Sequence, residues 1–306
     1  MTASTPIHDT VPATGLIDRA RLAACLSGAT RDWSIEVVEE TGSTNTDLRD
    51  RLRAEHALAA PLVRVAYLQH AGRGRRGRQW VAAAGDALMF SVAYPLARPL
   101  QALGGLSLAV GTAILAGLRT LAPAEAARFA LKWPNDILLD RAKLGGILIE
   151  TAASTASDCT LVIGVGINLR GAQALADRLD NVAGVAGVPA TRVAALDQMG
   201  AASSMNASMN DTLAAVLNAL APALARFEQA GFAAFRESWQ ADHAYAGEVV
   251  SLIENGVELA CGIADSVDES GQLLISRSDG TIHVCAVGDV SLRLHPSAQQ
   301  SNGEPR

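Results

Sequence analysis

The sequence predicts an α+β protein in which a large region of alternating strands and helices is followed by a small antiparallel β-barrel. Strand-like and helix-like segments alternate from Ile35 to Arg170. From about Tyr245 the texture changes to short alternating apolar runs joined by turn residues. A chain of 306 residues is long enough for one large core plus a smaller domain.

The elements read in order as follows. Residues 1–15 are rich in Thr, Pro and Ala and are expected to be disordered, and Ile17–Ser27 to form a short helix. Glu40–Asn45 precedes Thr46–Arg53, which has helical spacing. Leu62–Leu68 is β-branched and apolar, hence a buried strand, and Ala87–Tyr94 is strand-like. Leu103–Leu118 is too short and too rich in Gly, Ser and Thr for a membrane span and reads as a buried core helix. Phe129–Lys132 and Ile137–Leu139 flank a turn at Trp133-Pro134-Asn135-Asp136, and Gly146–Glu150 pairs with Leu161–Asn168 across the loop 151–160. Ala172–Arg178 and Leu213–Phe235 are helical in pattern, with Gly200–Asn210 an exposed connection between them. Glu248–Ile253, Val257–Ala260, Ile263–Val267, Gln272–Ser276 and Thr281–Val287 are short strands separated by Asn-Gly and Asp-Gly turns. The division expected is an N-terminal extension over 1–30, a larger domain over 31–244, a C-terminal domain over 245–296 and a disordered tail over 297–306.

Composition narrows the function. The net charge is −6, so no broad basic footprint invites nucleic acid. Hydrophobic residues make up 49% of the chain and aromatics 4%, which implies a core of Ala, Leu, Val and Ile. The N-terminus lacks the basic-then-apolar pattern of a signal peptide. Cys25, Cys159, Cys261 and Cys285 form no C-x-x-C pair, which suits reduced thiols in a cytoplasmic protein without a zinc site.

One isolated stretch departs from that acidic background. Gly72–Arg78 packs four arginines and three glycines into seven positions, and Trp80 follows. Arginine forks fit phosphate or carboxylate oxygens, and glycines let backbone amides approach an anion. The run also fits G-x-G-x-x-G, but a strand-like segment follows instead of a helix, and no acid lies about 20 residues on. A basic localisation patch and a merely solvated charged loop are the other readings of this run alone. Four like charges with little apolar surface are expected to leave Gly72–Trp80 mobile until a ligand supplies a phosphate and a flat face.

Four further segments are unusually polar or glycine-rich for their setting. Ser43-Thr44-Asn45 at a helix start could cradle a carbonyl or carboxylate, or serve as a plain N-cap. Lys132-Trp133-Pro134-Asn135-Asp136 offers oxygens suited to Mg²⁺, or simply good turn chemistry. Lys143, beside Gly145 and Gly146, is a point charge for an anion or a solvated loop lysine. Gly164 and Gly166 alternate on an apolar strand and leave room on one face for a ligand or another backbone.

Taken together, Gly-Arg-Gly-Arg-Arg-Gly-Arg-x-Trp, Lys-Trp-Pro-Asn-Asp, Lys-Leu-x-Gly-Ile-Leu-x-Glu and Gly-x-Gly-Ile-Asn resemble the biotin–protein ligases (biotin–[acetyl-CoA-carboxylase] ligases) from about residue 36 to Arg293. The resemblance implies a class II synthetase-like catalytic domain, a mixed sheet with helices on one side, plus an SH3-like C-terminal domain. It implies that biotin attacks ATP to give biotinyl-5′-AMP, and that a lysine of biotin carboxyl carrier protein then displaces AMP. ATP and Mg²⁺ are the implied cofactors, no membrane or nucleic acid is involved, and monomer or homodimer stays open.

The same resemblance implies the roles. Lys143 and Arg75 contact the biotin carboxylate and the adenylate phosphate, with Asp136 a third catalytic residue. Ser43, Thr44 and Gln69 hydrogen-bond the biotin ring, Gly72 and Arg73 lie against biotin, and Gly146, Gly164 and Gly166 line its pocket. Trp80 stacks on adenine, while Arg78, Asn135, Asn168 and Arg293 hold the nucleotide. Asn135 and Asp136 fall where metal or acceptor-lysine contacts are expected. Gly145 stands where the family often has Ala, a departure expected to be harmless. About 35 residues precede the catalytic region, too few for the winged helix-turn-helix of bifunctional members, so the monofunctional type is expected. A lipoate or octanoate ligase of the same superfamily, or a non-catalytic biotin-binding regulator, would be the alternatives. The arginine loop argues against the first, and the presence of Lys143 and Arg75 against the second.

Overall fold

The computed structural model describes residues 16–55, 58, 60–183, 192–200, 208–254, 256–286 and 290–295. The expectations for residues 1–15, for most of the 200–210 connection and for the tail after 296 lie outside them. Two sheets organise the described chain. The first has seven strands in the order β1-β2-β3-β7-β6-β5-β4: β1 Ser34–Thr41, β2 Leu62–Gln69, β3 Ala87–Leu96, β4 Phe129–Lys132, β5 Asp136–Leu139, β6 Ala142–Ser154 and β7 Cys159–Asn168. Only β1 and β2 run parallel, and every other pair is antiparallel, so the sheet is mixed.

Side-chain alternation along the central strands explains the layers. Val63, Val92, Leu161 and Ile163 belong to the main core, together with helices α1 (Arg19–Cys25), α3 (Leu106–Leu121) and α5 (Met209–Ala230). Their neighbours Leu62, Ala93 and Val162 point the other way and form a small cluster with Leu48 of α2 (Thr44–Glu55). Helices therefore cover both faces, not one as expected. The α2 face is only partly covered, and the rest of it is open to a ligand.

The C-terminal sheet has five antiparallel strands in the order β11-β10-β9-β8-β12, consistent with an SH3-like domain. They are β8 Val249–Glu254, β9 Val257–Val267, β10 Leu273–Ser276, β11 Ile282–Cys285 and β12 Val290–Leu294. The two strands expected over 257–260 and 263–267 are one. Gly262 is not a turn: a Cβ there would meet the Ser276 carbonyl oxygen at 2.4 Å, so glycine permits a close strand approach. The helix expected to reach Phe235 stops at Ala230, because Gly231 adopts φ +67°. The remaining helices are α4 (Ala172–Ala183) and α6 (Arg236–Ala241). The two sheets touch at Trp133, whose indole Nε1 donates to the Gly271 carbonyl at 3.1 Å.

Candidate active site

A cavity of about 250 Å³ opens on the α2 face, between the arginine loop, the β4–β5 turn and β12. Its floor is built from side chains of alternate residues. Gly146 pairs with Gly166, and Leu148 with Gly164, across β6 and β7. Ser91 of β3 pairs with Gly164 from the other side. The absent side chains make room for two neighbours. A Cβ on Gly164 would lie 2.2 Å from Asn45 Oδ1, and one on Gly166 would lie 2.5 Å from Cε2 of Trp80. Those glycines thus admit protein side chains that in turn wall the cavity. A Cβ on Gly145 would meet the Gly166 carbonyl oxygen at 2.6 Å, so this chain's backbone is packed around glycine there.

The arginine loop is a short hairpin. Arg73 and Gln79 form an antiparallel bridge. Gly74 N donates to Arg78 O at 2.8 Å, and Trp80 N donates to Gly72 O at 2.9 Å. The tip turns through Arg76 at φ 63° and Gly77 at φ 67°, a left-handed pair that Gly77 accepts freely and Arg76 does not. Arg73, Arg75, Arg76, Arg78, Gln79 and Trp80 line the cavity. Gly72 does not: its place is under Trp80, whose carbonyl oxygen a Cβ would meet at 2.5 Å.

Opposite the loop, the β4–β5 turn and β6 bring the other cations. Lys143 Nζ donates to Asp136 Oδ1 at 2.5 Å, and Lys132 Nζ lies 3.4 Å from Oδ2. Burial pushes the Asp136 carboxyl up, but Lys143 and then Lys132 outweigh it and hold the group below the ordinary carboxylate range. With both oxygens taken by ammonium groups, Asp136 does not fit a metal ion in this arrangement. Asn135 is tied to β6, its amide donating to Ile147 O at 2.7 Å. Six cationic side chains (Arg73, Arg75, Arg76, Arg78, Lys132, Lys143) and one carboxylate, Asp136, line the cavity. Such a wall suits a polyanion next to a second anion.

Among the described residues, two buried polar atoms in this wall have no protein partner: Trp80 Nε1, a donor, and Asn168 Oδ1, an acceptor. Orphaned buried groups cost stability and mark places where a ligand completes the hydrogen bonding. The Asn168 amide nitrogen is fixed by Ala194 O at 3.0 Å, so its oxygen is held toward the unfilled side. At the other end of the cavity Thr44, Asn45 and Ser91 are 3%, 4% and 0% exposed and hydrogen-bonded to one another. Gln69 Oε1 accepts from Thr44 N at 2.8 Å, and the Ser43 carbonyl accepts the first bond of α2 from Asp47 N.

Most residues assigned from the sequence therefore converge: Ser43, Thr44, Gln69, Arg73, Arg75, Arg78, Trp80, Asn135, Asp136, Lys143, Gly146, Gly164, Gly166 and Asn168 all line the cavity. Arg293 does not. It sits in β12 opposite Ser251, close enough for its charge to act on Arg78, while Ser291 and Leu292 reach the wall. Sequence reasoning placed Asn45 and Lys132 in candidate motifs without a role of their own, and missed Ser91. Ser91 carried a signal: a lone hydroxyl in a strand buried on both faces needs a partner.

The chain belongs to the biotin/lipoate A/B protein ligase family, whose model matches residues 37–168. Within it, the chain is 34% identical over 244 residues to biotin–[acetyl-CoA-carboxylase] ligase of Paracoccus denitrificans, covering 78% of this chain and 92% of that protein. It is 33% identical over 260 residues to the bifunctional ligase/repressor BirA of Escherichia coli (strain K12), covering 85% and 74% respectively. The structure of a biotin protein ligase from Aquifex aeolicus in complex with biotin and ATP superposes with a TM-score of 0.65 at 25% identity, covering 86% of this chain and 99% of that one.

Proposed function

We infer that this protein is an ATP-dependent biotin–[acetyl-CoA-carboxylase] ligase. A biotin carboxylate oxygen attacks the α-phosphorus of ATP, forming biotinyl-5′-AMP and releasing pyrophosphate. The amine of an acceptor lysine then attacks the acyl carbon, forming the amide, releasing AMP and losing a proton. One observation carries the reading: among the described residues, six cations and one carboxylate line the same cavity as the buried polar groups of Thr44, Asn45 and Ser91. The first step brings two anions together, and only a cationic wall offsets their repulsion. The buried hydroxyl and amide groups suit a small polar ring rather than an aliphatic or sulfur ring, which would leave them unpaired.

In this reading Lys143 leaves Asp136 to neutralise the carboxylate and developing phosphate charge, and Lys132 keeps Asp136 paired as it does so. Trp80 and Asn168 hold the base and nucleotide through their orphaned atoms, and Arg75 and Arg78 face the phosphates. Arg293, near Arg78, adds positive charge on the nucleotide side. Mg²⁺ bound with ATP would supply charge neutralisation at the phosphates. Residues 31–244 form the catalytic domain and 245–296 the smaller domain that closes the cavity through β12. The acceptor is the carrier lysine of a carboxylase, the chain acts in the cytoplasm, and neither membrane nor nucleic acid takes part. The test is direct: with biotin, ATP, Mg²⁺ and a biotin carboxyl carrier domain, intact mass should show one biotin added per carrier and one AMP released. An unmodified carrier under conditions where both proteins are folded would reject this function.

A further inference from the structure

The polar end of the cavity contains a hydrogen-bond chain whose direction is fixed from outside the cavity. Glu150, on β6, is not among the lining residues. Its Oε1 accepts from Arg49 Nη1 at 2.8 Å and forms an ion pair with Arg73 Nη1 at 3.0 Å. Its Oε2 accepts from Asn45 Nδ2 at 2.9 Å. A carboxylate between two arginines is an acceptor only, so the Asn45 amide must turn its nitrogen toward Glu150. Leu148 O, 3.3 Å from the same nitrogen, agrees with that orientation.

The consequence runs inward. With its nitrogen committed, Asn45 presents Oδ1 to Ser91, whose Oγ donates to it at 2.6 Å. That uses the one Ser91 proton. Ser91 Oγ also lies 2.7 Å from Thr44 Oγ1, a contact that needs a proton between the oxygens. Thr44 supplies it, since its other acceptor, Gln69 Oε1, is farther away at 3.3 Å. With its one proton spent on Ser91 or Gln69, the Thr44 hydroxyl has lone pairs alone for anything else in the cavity. All three residues are buried.

We propose that Glu150 is a specificity-determining positioning residue: through Asn45 and Ser91 it makes Thr44 Oγ1 an obligate acceptor, so the site selects a ring that presents an N–H. The proposal rests on the biotin reading above, since a cyclic urea carries such an N–H and a dithiolane does not. It differs from a merely structural role for Glu150 because it concerns the direction of hydrogen bonds, not their number.

Glu150→Gln separates the two. Both arginines share Oε1, so Gln keeps its carbonyl oxygen there and turns its amide nitrogen toward Asn45. Donor then faces donor. Asn45 turns over at the cost of its long bond to Leu148 O, Ser91 donates to Thr44, and the Thr44 proton turns toward Gln69 Oε1 and the cavity. The experiment measures biotin-dependent exchange of labelled pyrophosphate into ATP, with biotin and with biotin methylated on its ring nitrogens. The enzymes are the unsubstituted protein, Glu150→Gln, Arg49→Ala, Thr44→Ser and Thr44→Val. We expect Glu150→Gln to raise the KM for biotin at least tenfold with kcat and the KM for ATP within twofold. The preference for biotin over the methylated ring should fall at least fivefold. Arg49→Ala, which removes an ion pair from Glu150 but leaves Asn45 bound, should keep that preference within twofold. Thr44→Ser should keep it and Thr44→Val should lose it, which tests the acceptor even if Glu150→Gln fails to fold. An unchanged preference in Glu150→Gln, an equal loss in Arg49→Ala, or full preference in Thr44→Val overturns the proposal. Absence of biotin-dependent exchange in the unsubstituted protein would instead overturn the biotin reading on which it rests.

Discussion

Gly166→Ala should push Trp80 off the cavity floor. The new Cβ would lie 2.5 Å from Cε2, 2.6 Å from Cζ2 and 3.0 Å from Nε1 of the indole. Carbon atoms pack at about 3.5–4.0 Å, so the ring must retreat by roughly 1 Å or more. Overpacking of this kind costs about 1–3 kcal/mol, which loosens the docked loop by a factor of roughly 5 to 150. The same operation at Gly146 is a built-in control. There a Cβ would stand 3.5 Å from Cζ3 of Trp80, an ordinary contact, and the empty enzyme should tolerate it. Fluorescence reads the outcome. Of the four tryptophans, Trp33, Trp133 and Trp239 are 8%, 0% and 1% exposed, so a red shift reports on Trp80. Gly166→Ala should shift the emission and speed tryptic cutting at Arg73, Arg75, Arg76 and Arg78, and Gly146→Ala should do neither. Identical spectra and cleavage rates for the two variants would refute the packing argument.

Other consequences are simpler to read. Lys143→Ala should depress adenylate formation by roughly 2.7–4 kcal/mol in the barrier, as one positioned donor does elsewhere, while Lys132 keeps Asp136 paired and melting stays cooperative; an unchanged single-turnover rate would remove Lys143 from the chemistry. Biotin with Mg²⁺-ATP should protect the arginine loop from trypsin more than either alone, and equal cutting in all states would show that the loop does not close. His243, stacked 4.7 Å from Trp239 with neither ring nitrogen bonded, is held by burial at a pKa of about 4. The unfolded chain takes a proton near pH 6.5 and the folded one does not, so stability is intact above 6.5 and falls by about 3 kcal/mol as pH drops toward 4. His243→Phe should flatten that part of a melting-temperature profile, and an unchanged slope between pH 6.5 and 4 would assign the acid sensitivity elsewhere.

What the sequence made legible was local. Trp133-Pro134-Asn135-Asp136 announced its turn, β2 and β3 announced burial by composition, and the glycines of β7 announced close approach. What approaches was not legible. Gly164 and Gly166 read as space for a ligand or another backbone, yet the space holds the side chains of Asn45 and Trp80, which come from α2 and the arginine loop by tertiary packing. Glu150 ended a quoted motif without a role, because its partners Arg49 and Arg73 lie 101 and 77 positions away along the chain. The strand β12 was hidden in a run taken only for Arg293, since its partner β8 is separated from it in sequence by the other three strands of that sheet. Asp136 read as a cation ligand because the two lysines on it are a fact of register, with Lys143 brought in across β5 and β6.

The central claim is that the cavity adenylates a carboxylic acid bearing a polar urea ring. The most direct measurement is exchange of labelled pyrophosphate into ATP with Mg²⁺ present and either biotin or lipoate as the only acid. The account predicts rapid exchange with biotin and little with lipoate, because lipoate leaves the Thr44, Asn45 and Ser91 end unpaired. Equal exchange with the two acids, or exchange with lipoate alone, would contradict it.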